Sequence, residues 1–219
     1  MNVEKIEMQP VREKVVTALR KAIFEGELVD GQEITQEEIA NKLGISRMPV
    51  REAFRILETD GLLKIMTRKA VVLAFTEDDF KDNMFIRSVI EGEAAARACI
   101  HHRDFSRLEE IQEKMKEAIK KQDLETYVQA NIDFHGTIWD YSQSNRFKVL
   151  LNQTFNGIMF DIPLLVPGHM EKSIQEHEKI IEALKSGSPE RAAEAMRYHI
   201  SRGAGNFVDY RSQFNFKDE

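Results

Sequence analysis

The chain has 219 residues, of which 42% are hydrophobic and 31% are charged, and it contains 11 Gly and 5 Pro. This composition is too apolar for a disordered chain and too poor in Gly and Pro for a fibrous one. At roughly 100 to 200 residues per domain, the length fits one large domain or two modest ones. The single cysteine, Cys99, cannot form an internal disulfide, and the apolar runs are far shorter than the roughly 20 residues that cross a bilayer. We therefore expect a cytoplasmic protein without a membrane span.

The net charge of −6 is unevenly distributed along the chain. Residues 1–75 contain 12 Lys and Arg and 12 Asp and Glu, so the whole net charge belongs to residues 76–219. Between residues 43 and 70, basic residues outnumber acidic ones. Because Lys and Arg supply most of the non-specific affinity for nucleic acid, the overall charge argues against a protein that coats DNA. It still allows a local basic face in the first third of the chain.

Two helices are predicted at the start of the chain. Residues 10–24 carry apolar side chains at three- and four-residue spacing and are followed by Gly26, which is typical of a helix and its end. Thr35 and Glu38 have the spacing of a capping box. They predict a second helix of about two turns that ends at Gly44.

A third helix and a hairpin follow. Ser46 can cap the third helix, and Gly61 lies past its end. Residues 62–65 and 71–75 are typical of two short strands around a basic tip. Three helices and a hairpin within about 65 residues predict a winged helix-turn-helix.

The remainder of the chain is predicted to be a helical domain. Strand patterns end at Thr76, and we place the domain boundary there, with a winged helix-turn-helix in residues 1–75 and a second domain in residues 76–219. The predicted helices of the second domain span residues 77–101, 105–121, 123–142, 145–160, 170–186 and 189–212. Six helices of this length form a bundle, so the predicted fold class is mainly α.

The third predicted helix carries the residues best suited to DNA contact. Arg47 lies at its start and Arg51 one turn later on the same face, where arginines can bind guanine edges or phosphates. The alternative is that both are solvated arginines on the surface of an amphipathic helix. The full set of candidate DNA contacts adds neighbouring residues and the wing tip: Ser46, Arg47, Met48, Arg51, Arg68 and Lys69.

The run TQEEIANKLGISRMPVREAFRILETDGLL, residues 35–63, closely resembles the DNA-binding domain of the GntR family of bacterial transcription regulators. Together with the helical remainder, nearly the whole chain is similar to the FCD subgroup, and the lack of a basic residue around residues 35–38 favours its VanR-like over its FadR-like branch. The resemblance implies a C-terminal domain that senses a small effector, often a carboxylate, and commonly holds a metal. Two positions depart from the usual pattern: Val29-Asp-Gly31 replaces Pro-Gly, and Lys69 replaces a wing glycine.

Histidines form the second candidate site. Asn131 and His135 are four residues apart on one predicted helix and therefore share a face. His177 and His199 each lie 11 residues from Ser188, in the turn between the last two helices. If those helices are antiparallel, both histidines lie at equal height, about 16 Å from the turn at 1.5 Å per residue. The resemblance implies the same four residues, because the FCD pattern has Asp or Asn, three residues, His, and then two later histidines.

Three imidazoles and one short oxygen-bearing side chain match the ligands of a divalent metal. We predict zinc, with nickel or manganese as alternatives. Isolated histidines are more often hydrogen-bonded or exposed without any metal, and Asp133 lies at the wrong helical phase to be a ligand. His101, His102 and His169 lie at predicted helix ends and are assigned no role.

Arg87 and Glu91 lie one turn apart on the first helix of the second domain. One interpretation is an ion pair within the helix. The other is that Arg87 points into the bundle and binds the carboxylate of an effector, as the "Arg, three residues, Glu" pattern of the resembled family implies.

These observations predict a metabolite-responsive transcription regulator, not an enzyme. Its expected partners are double-stranded operator DNA, bound as a homodimer at a palindromic site, and a small organic acid. One alternative is a metal-dependent, hydrolase-like helical protein with an accessory nucleic-acid-binding domain, but no general base lies at motif spacing such as His-Glu-x-x-His. A second alternative is a protein-interaction bundle.

Overall fold

The computed structural model describes residues 11–24, 26–73, 76–155 and 166–213. The chain divides into two compact units, residues 1–76 and residues 77–219. Within the described residues the structure is mainly helical, which confirms the predicted fold class. None of the described helices is both long enough and apolar enough to cross a membrane.

The first unit contains three helices and a small sheet. In chain order, its elements are α1 (Val11–Phe24), β1 (Glu33–Ile34), α2 (Gln36–Leu43), α3 (Arg47–Thr59), β2 (Leu63–Ile65) and β3 (Ala70–Val72). The sheet is antiparallel with strand order β1-β3-β2. Strand β1 was not predicted, because two residues are too short to show an alternating pattern. It exists because Glu33 and Ile34 pair with Val71 and Ala70 of β3.

The predicted start and end of α2 are present in the structure. Thr35 Oγ1 accepts a hydrogen bond from the Glu38 backbone N–H at 3.1 Å, and Gly44 ends α2 with a φ of +65°. Helix α3 places Val50, Phe54 and Leu57 in a fully buried core. The opposite face of α3 is therefore left to solvent.

The second unit is a bundle of long helices. Its described helices are α4 (Glu77–His101), α5 (Ser106–Lys121), α6 (Leu124–Tyr141), α7 (Asn145–Phe155), α8 (His169–Lys185) and α9 (Pro189–Gln213). The last five residues of the helix predicted at 145–160 lie outside the described residues. Helix α4 packs most extensively on α9, and α5 packs on α6.

Helix α4 carries small residues where other helices pack on it. Ala94, Ala95 and Ala98 are fully buried, and Ala94 packs with Trp139 of α6 and Leu151 of α7. A Cβ atom at Gly92 would lie 2.7 Å from Arg197 Cγ, so a larger residue there would force the arginine to move. Because α8 and α9 are joined by a short turn, they run antiparallel, and this brings their histidines to one level.

Candidate metal centre and nucleic-acid interface

Three predicted histidines converge inside the second unit. His135 of α6, His177 of α8 and His199 of α9 are buried, and one ring nitrogen from each lies within 4.8 Å of the others. The Nε2 atoms of His177 and His199 are 3.3 Å apart. Two nitrogens bound to one tetrahedral zinc ion at about 2.0 to 2.1 Å are themselves separated by about 3.3 Å, so the observed spacing fits a shared metal.

Two of these imidazoles are oriented by buried carboxylates. His135 Nδ1 donates to Glu91 Oε2 at 2.6 Å, and His199 Nδ1 donates to Glu176 Oε2 at 2.8 Å. Because a carboxylate only accepts, the proton is assigned to Nδ1 and the lone pair is left on Nε2. Metal-binding histidines in proteins are commonly held this way. The Nδ1 atom of His177 is buried without a hydrogen-bond partner among the described residues.

Burial keeps two of the three imidazoles, those of His177 and His199, neutral. Burial, followed by the neighbouring imidazoles, lowers the pKa of His177 well below its usual value, and burial likewise lowers the pKa of His199. Neutral imidazole is the form that binds a metal ion. The donor chemistry and nitrogen spacing of the three histidines, together with the neutral rings of His177 and His199, therefore fit a divalent metal.

Glu91 joins two candidate sites that sequence analysis treated separately. Its Oε1 atom lies 2.5 Å from Arg87 Nε, and its Oε2 atom also accepts a hydrogen bond from Trp139 Nε1 at 3.2 Å. Burial alone would raise the pKa of Glu91, but the charge of Arg87 and the hydrogen bond with His135 lower it well below the usual range. The ion pair between Arg87 and Glu91 is thus present, and it is buried beside the histidines.

Asn131 lies one turn before His135 on α6 and is half-buried. Its role as a fourth ligand stays a prediction.

Sequence analysis missed two residues of this centre, Glu176 and Trp139. It assigned Glu91 only as the ion-pair partner of Arg87. Glu91 is 44 positions from the histidine that it contacts, so no local spacing indicates the hydrogen bond.

The exposed face of α3 carries the predicted arginines. Arg47, Met48 and Arg51 are exposed, and so is Arg55, which continues the same stripe one turn further and was not predicted as a contact. Ser46 stands at the N-cap position with φ −73° and ψ 160°, but its side chain makes no capping hydrogen bond, so that part of the prediction is wrong. Ser46 is exposed instead.

The wing is a tight turn between β2 and β3. The Met66 N–H donates to the Lys69 carbonyl at 2.7 Å, and Arg68 is exposed. Lys69 has no left-handed backbone conformation, which explains why a glycine is unnecessary there. Its ammonium group pairs with Glu33 of β1. Arg68 also lies at the wing tip, and none of the described ion pairs joins it to an acidic residue.

Comparison with known proteins gives matches along nearly the whole chain. Residues 11–73 match the family described as "Bacterial regulatory proteins, gntR family", and residues 82–202 match the FCD domain. The HTH-type transcriptional regulator YdhC of Bacillus subtilis is 30% identical over 191 residues, which is 84% of either chain. A relative named as the probable D-xylose utilization operon transcriptional repressor of Paenarthrobacter nicotinovorans is 30% identical over 188 residues, 82% of this chain and 80% of its own.

Solved structures share the fold. The Escherichia coli protein McbR/YncC matches with a TM-score of 0.67 and 22% identity, over 95% of this chain and all of its own. The Listeria monocytogenes protein Lar matches with a TM-score of 0.68 and 20% identity, over 93% of this chain and 99% of its own. Together with the family matches, these findings show that the chain belongs to the GntR family of bacterial regulatory proteins, with an FCD domain as its second half, and that it is a transcriptional regulator and not an enzyme.

Proposed function

We propose that this regulator binds a palindromic operator as a homodimer, and that a small carboxylate bound beside a metal in the FCD domain changes its affinity for DNA. The observation that carries the proposal is the buried cluster of His135, His177 and His199, in a chain whose other domain is built to bind DNA. Such a regulator acts in the cytoplasm, where its operator lies.

DNA recognition is assigned to the exposed face of α3. Arg47 and Arg51 are positioned to contact base edges or phosphates in the major groove, with Ser46 and Met48 beside them. On the wing, Arg68 reaches the backbone, and Lys69 contributes less because Glu33 balances its charge. Residues 1–75 carry no net charge, so one copy has little non-specific affinity. Two copies on half-sites one helical turn apart double the contacts, which supports a dimer.

The metal is assigned to His135, His177 and His199, with Asn131 as a fourth ligand. Imidazole suits zinc, and nickel or manganese are the alternatives. When bound, the metal supplies a Lewis acid that accepts a carboxylate oxygen of the effector. The chain's own contribution is to keep His177 and His199 neutral through burial, and to orient His135 and His199 through Glu91 and Glu176.

Arg87 is assigned to the other end of the effector carboxylate. Its Nε atom is held by Glu91, and this contact places the guanidinium group next to the cluster. A guanidinium offers five N–H donors, so binding Glu91 through Nε is compatible with binding a ligand through its remaining nitrogens.

Thermal unfolding tests this proposal. A panel of monocarboxylates and dicarboxylates should raise the melting temperature of the zinc-loaded protein, since a ligand that binds only the folded state stabilises it. Arg87→Lys keeps a positive charge beside Glu91 but removes the fork, and it should abolish the rise while zinc content stays unchanged. Arg97→Lys is the matched control, because Arg97 pairs with Glu93 on the exposed side of the same helix. No response to any acid, or an equal response in Arg87→Lys, would refute the carboxylate assignment.

A further inference from the structure

An apolar side chain occupies the centre of the exposed face of α3. The buried residues of this helix, which define its inward direction, are Val50, Ala53, Phe54 and Leu57. At about 100° per residue, Met48 points within about 10° of the direction opposite to their mean. Arg51 points about 70° to one side of that direction. In the first half of α3, Met48 therefore points most directly away from the core, with the arginines beside it.

Met48 also lies on the part of the helix that approaches the bases. It is 60% exposed and belongs to the first turn of α3. The N-terminal residues of a recognition helix contact base edges in the major groove. A single apolar side chain elsewhere on a protein surface is ordinary. On this turn, by contrast, the side chain meets the floor of the groove when DNA binds, and its thioether is only a weak hydrogen-bond acceptor.

The charges around Met48 indicate that this end of α3 faces DNA. The first turn of α3 contains no acidic residue, whereas the first turn of α2 contains Glu37 and Glu38. Acidic residues are favoured at helix N-termini because they offset the positive end of the helix dipole. Helix α3 begins with Arg47 instead, and the described ion pairs of this domain use other cations, Arg12, Arg20 and Lys69. The positive charge beside Met48 is therefore available for DNA phosphates.

The major groove offers one base feature that suits an apolar side chain. All four bases present hydrogen-bonding atoms there, and thymine alone adds a methyl group at C5. Proteins contact this methyl group through apolar atoms. A methionine side chain is unbranched and flexible, so it can adapt to the position of the methyl group.

We propose that Met48 is a specificity-determining residue that recognises the methyl group of one thymine in each operator half-site. The inference rests on the proposed function, because it takes operator binding by α3 from there and adds the base that one side chain selects. The arginines bind phosphates or guanine edges on either side, and Met48 distinguishes thymine from the bases that lack the methyl group.

Replacing thymine by uracil in the operator removes only this methyl group and so tests the inference. An operator is first selected from a pool of random-sequence duplexes with the full-length protein. Each thymine of one half-site, together with its symmetry mate, is then replaced in turn by deoxyuridine, and affinity is measured by gel-shift titration. Burying a group of this size changes affinity about four-fold, so we expect one such pair of replacements to weaken binding about 10- to 20-fold.

Variants at Met48 assign that loss to one side chain. Met48→Gln keeps the length of the side chain but ends it in an amide, so it should bind the thymine and deoxyuridine operators equally. Met48→Leu stays apolar and should still prefer thymine. Met66→Ala is the matched control, because Met66 is 47% exposed in the same domain but lies on the wing, and it should keep the preference of the parent protein. All three changes are at exposed positions, where substitutions rarely affect folding.

The outcomes separate this inference from operator binding itself. If no deoxyuridine replacement weakens binding by the parent protein, or if Met48→Gln keeps the preference for thymine, Met48 does not recognise the methyl group although the protein binds DNA. If Met66→Ala loses the preference as well, the response is not specific to Met48 and the inference is wrong. If the protein enriches no duplex from the pool, operator binding is refuted, and the inference with it.

Discussion

Replacing Glu91 by Gln removes a buried charge without changing the shape of the side chain. In the structure, the carboxylate lies 2.5 Å from Arg87 Nε and 2.6 Å from His135 Nδ1, and Glu91 has no exposed surface. The variant therefore leaves the guanidinium of Arg87 buried without its counter-charge, and it removes the acceptor that holds the His135 ring. We expect losses of both stability and metal affinity.

The two effects have different magnitudes. Breaking a buried ion pair by removing one partner costs about 3 to 5 kcal/mol. Because the amide oxygen of Gln can still accept one hydrogen bond, we expect the free energy of unfolding to fall by about 3 kcal/mol, the lower end of that range. Removing a carboxylate that orients a metal-bound histidine weakens metal binding about 10- to 100-fold. Urea unfolding of the metal-free protein measures the first quantity, and competition with a chelator for zinc measures the second.

Two further variants make the result specific. Glu93→Gln changes the same residue type on the same helix, but Glu93 pairs with Arg97 at 3.0 Å on the exposed side, so we expect a change below about 0.5 kcal/mol and no change in zinc affinity. Trp139→Phe removes the indole hydrogen bond to Glu91 while it keeps an aromatic ring in the core, and its effect on zinc affinity should lie between the two. Zinc affinity of Glu91→Gln equal to that of Glu93→Gln would refute the role of Glu91 in holding the metal centre.

Three other predictions concern DNA, metal content and pH. Arg51→Ala should cost about 1 to 3 kcal/mol per half-site in a gel-shift titration, whereas Arg107→Ala, on an exposed part of α5, should change nothing; equal affinities would remove Arg51 from recognition. Protein purified without chelator should contain zinc by elemental analysis, and a His177→Ala/His199→Ala variant should contain none; equal contents would rule out this site. The pKa of His169 is about 4 in the folded protein and about 6.5 unfolded, so the unfolded state binds the extra proton. His169 should therefore account for up to about 3 kcal/mol of the stability that the metal-free protein loses as the pH falls from 6.5 to 4, and His169→Gln should make the decline shallower by that amount, while the part due to His177 and His199 stays.

The sequence by itself determined the elements whose causes are local. The capping box of Thr35 and Glu38 acts within four residues, and the predicted hydrogen bond is present. The apolar spacing of α3 leaves Arg47 and Arg51 on the exposed face. The equal distances of His177 and His199 from one turn placed them at the same height, because a short turn forces the two helices to run antiparallel.

The tertiary structure alone decided the contacts between residues that are distant along the chain. Strand β1 exists only because β3 supplies its hydrogen bonds, and the Lys69 charge is balanced only because Glu33 lies on that added strand. The spacing predicts Glu91 only as half of an ion pair within one helix, yet the packing of α4 on α6 also buries it against His135. A side chain's spacing indicates which face of a helix it occupies. Which residues that side chain contacts depends on the helix that covers the face. The packing of the whole bundle determines which helix that is.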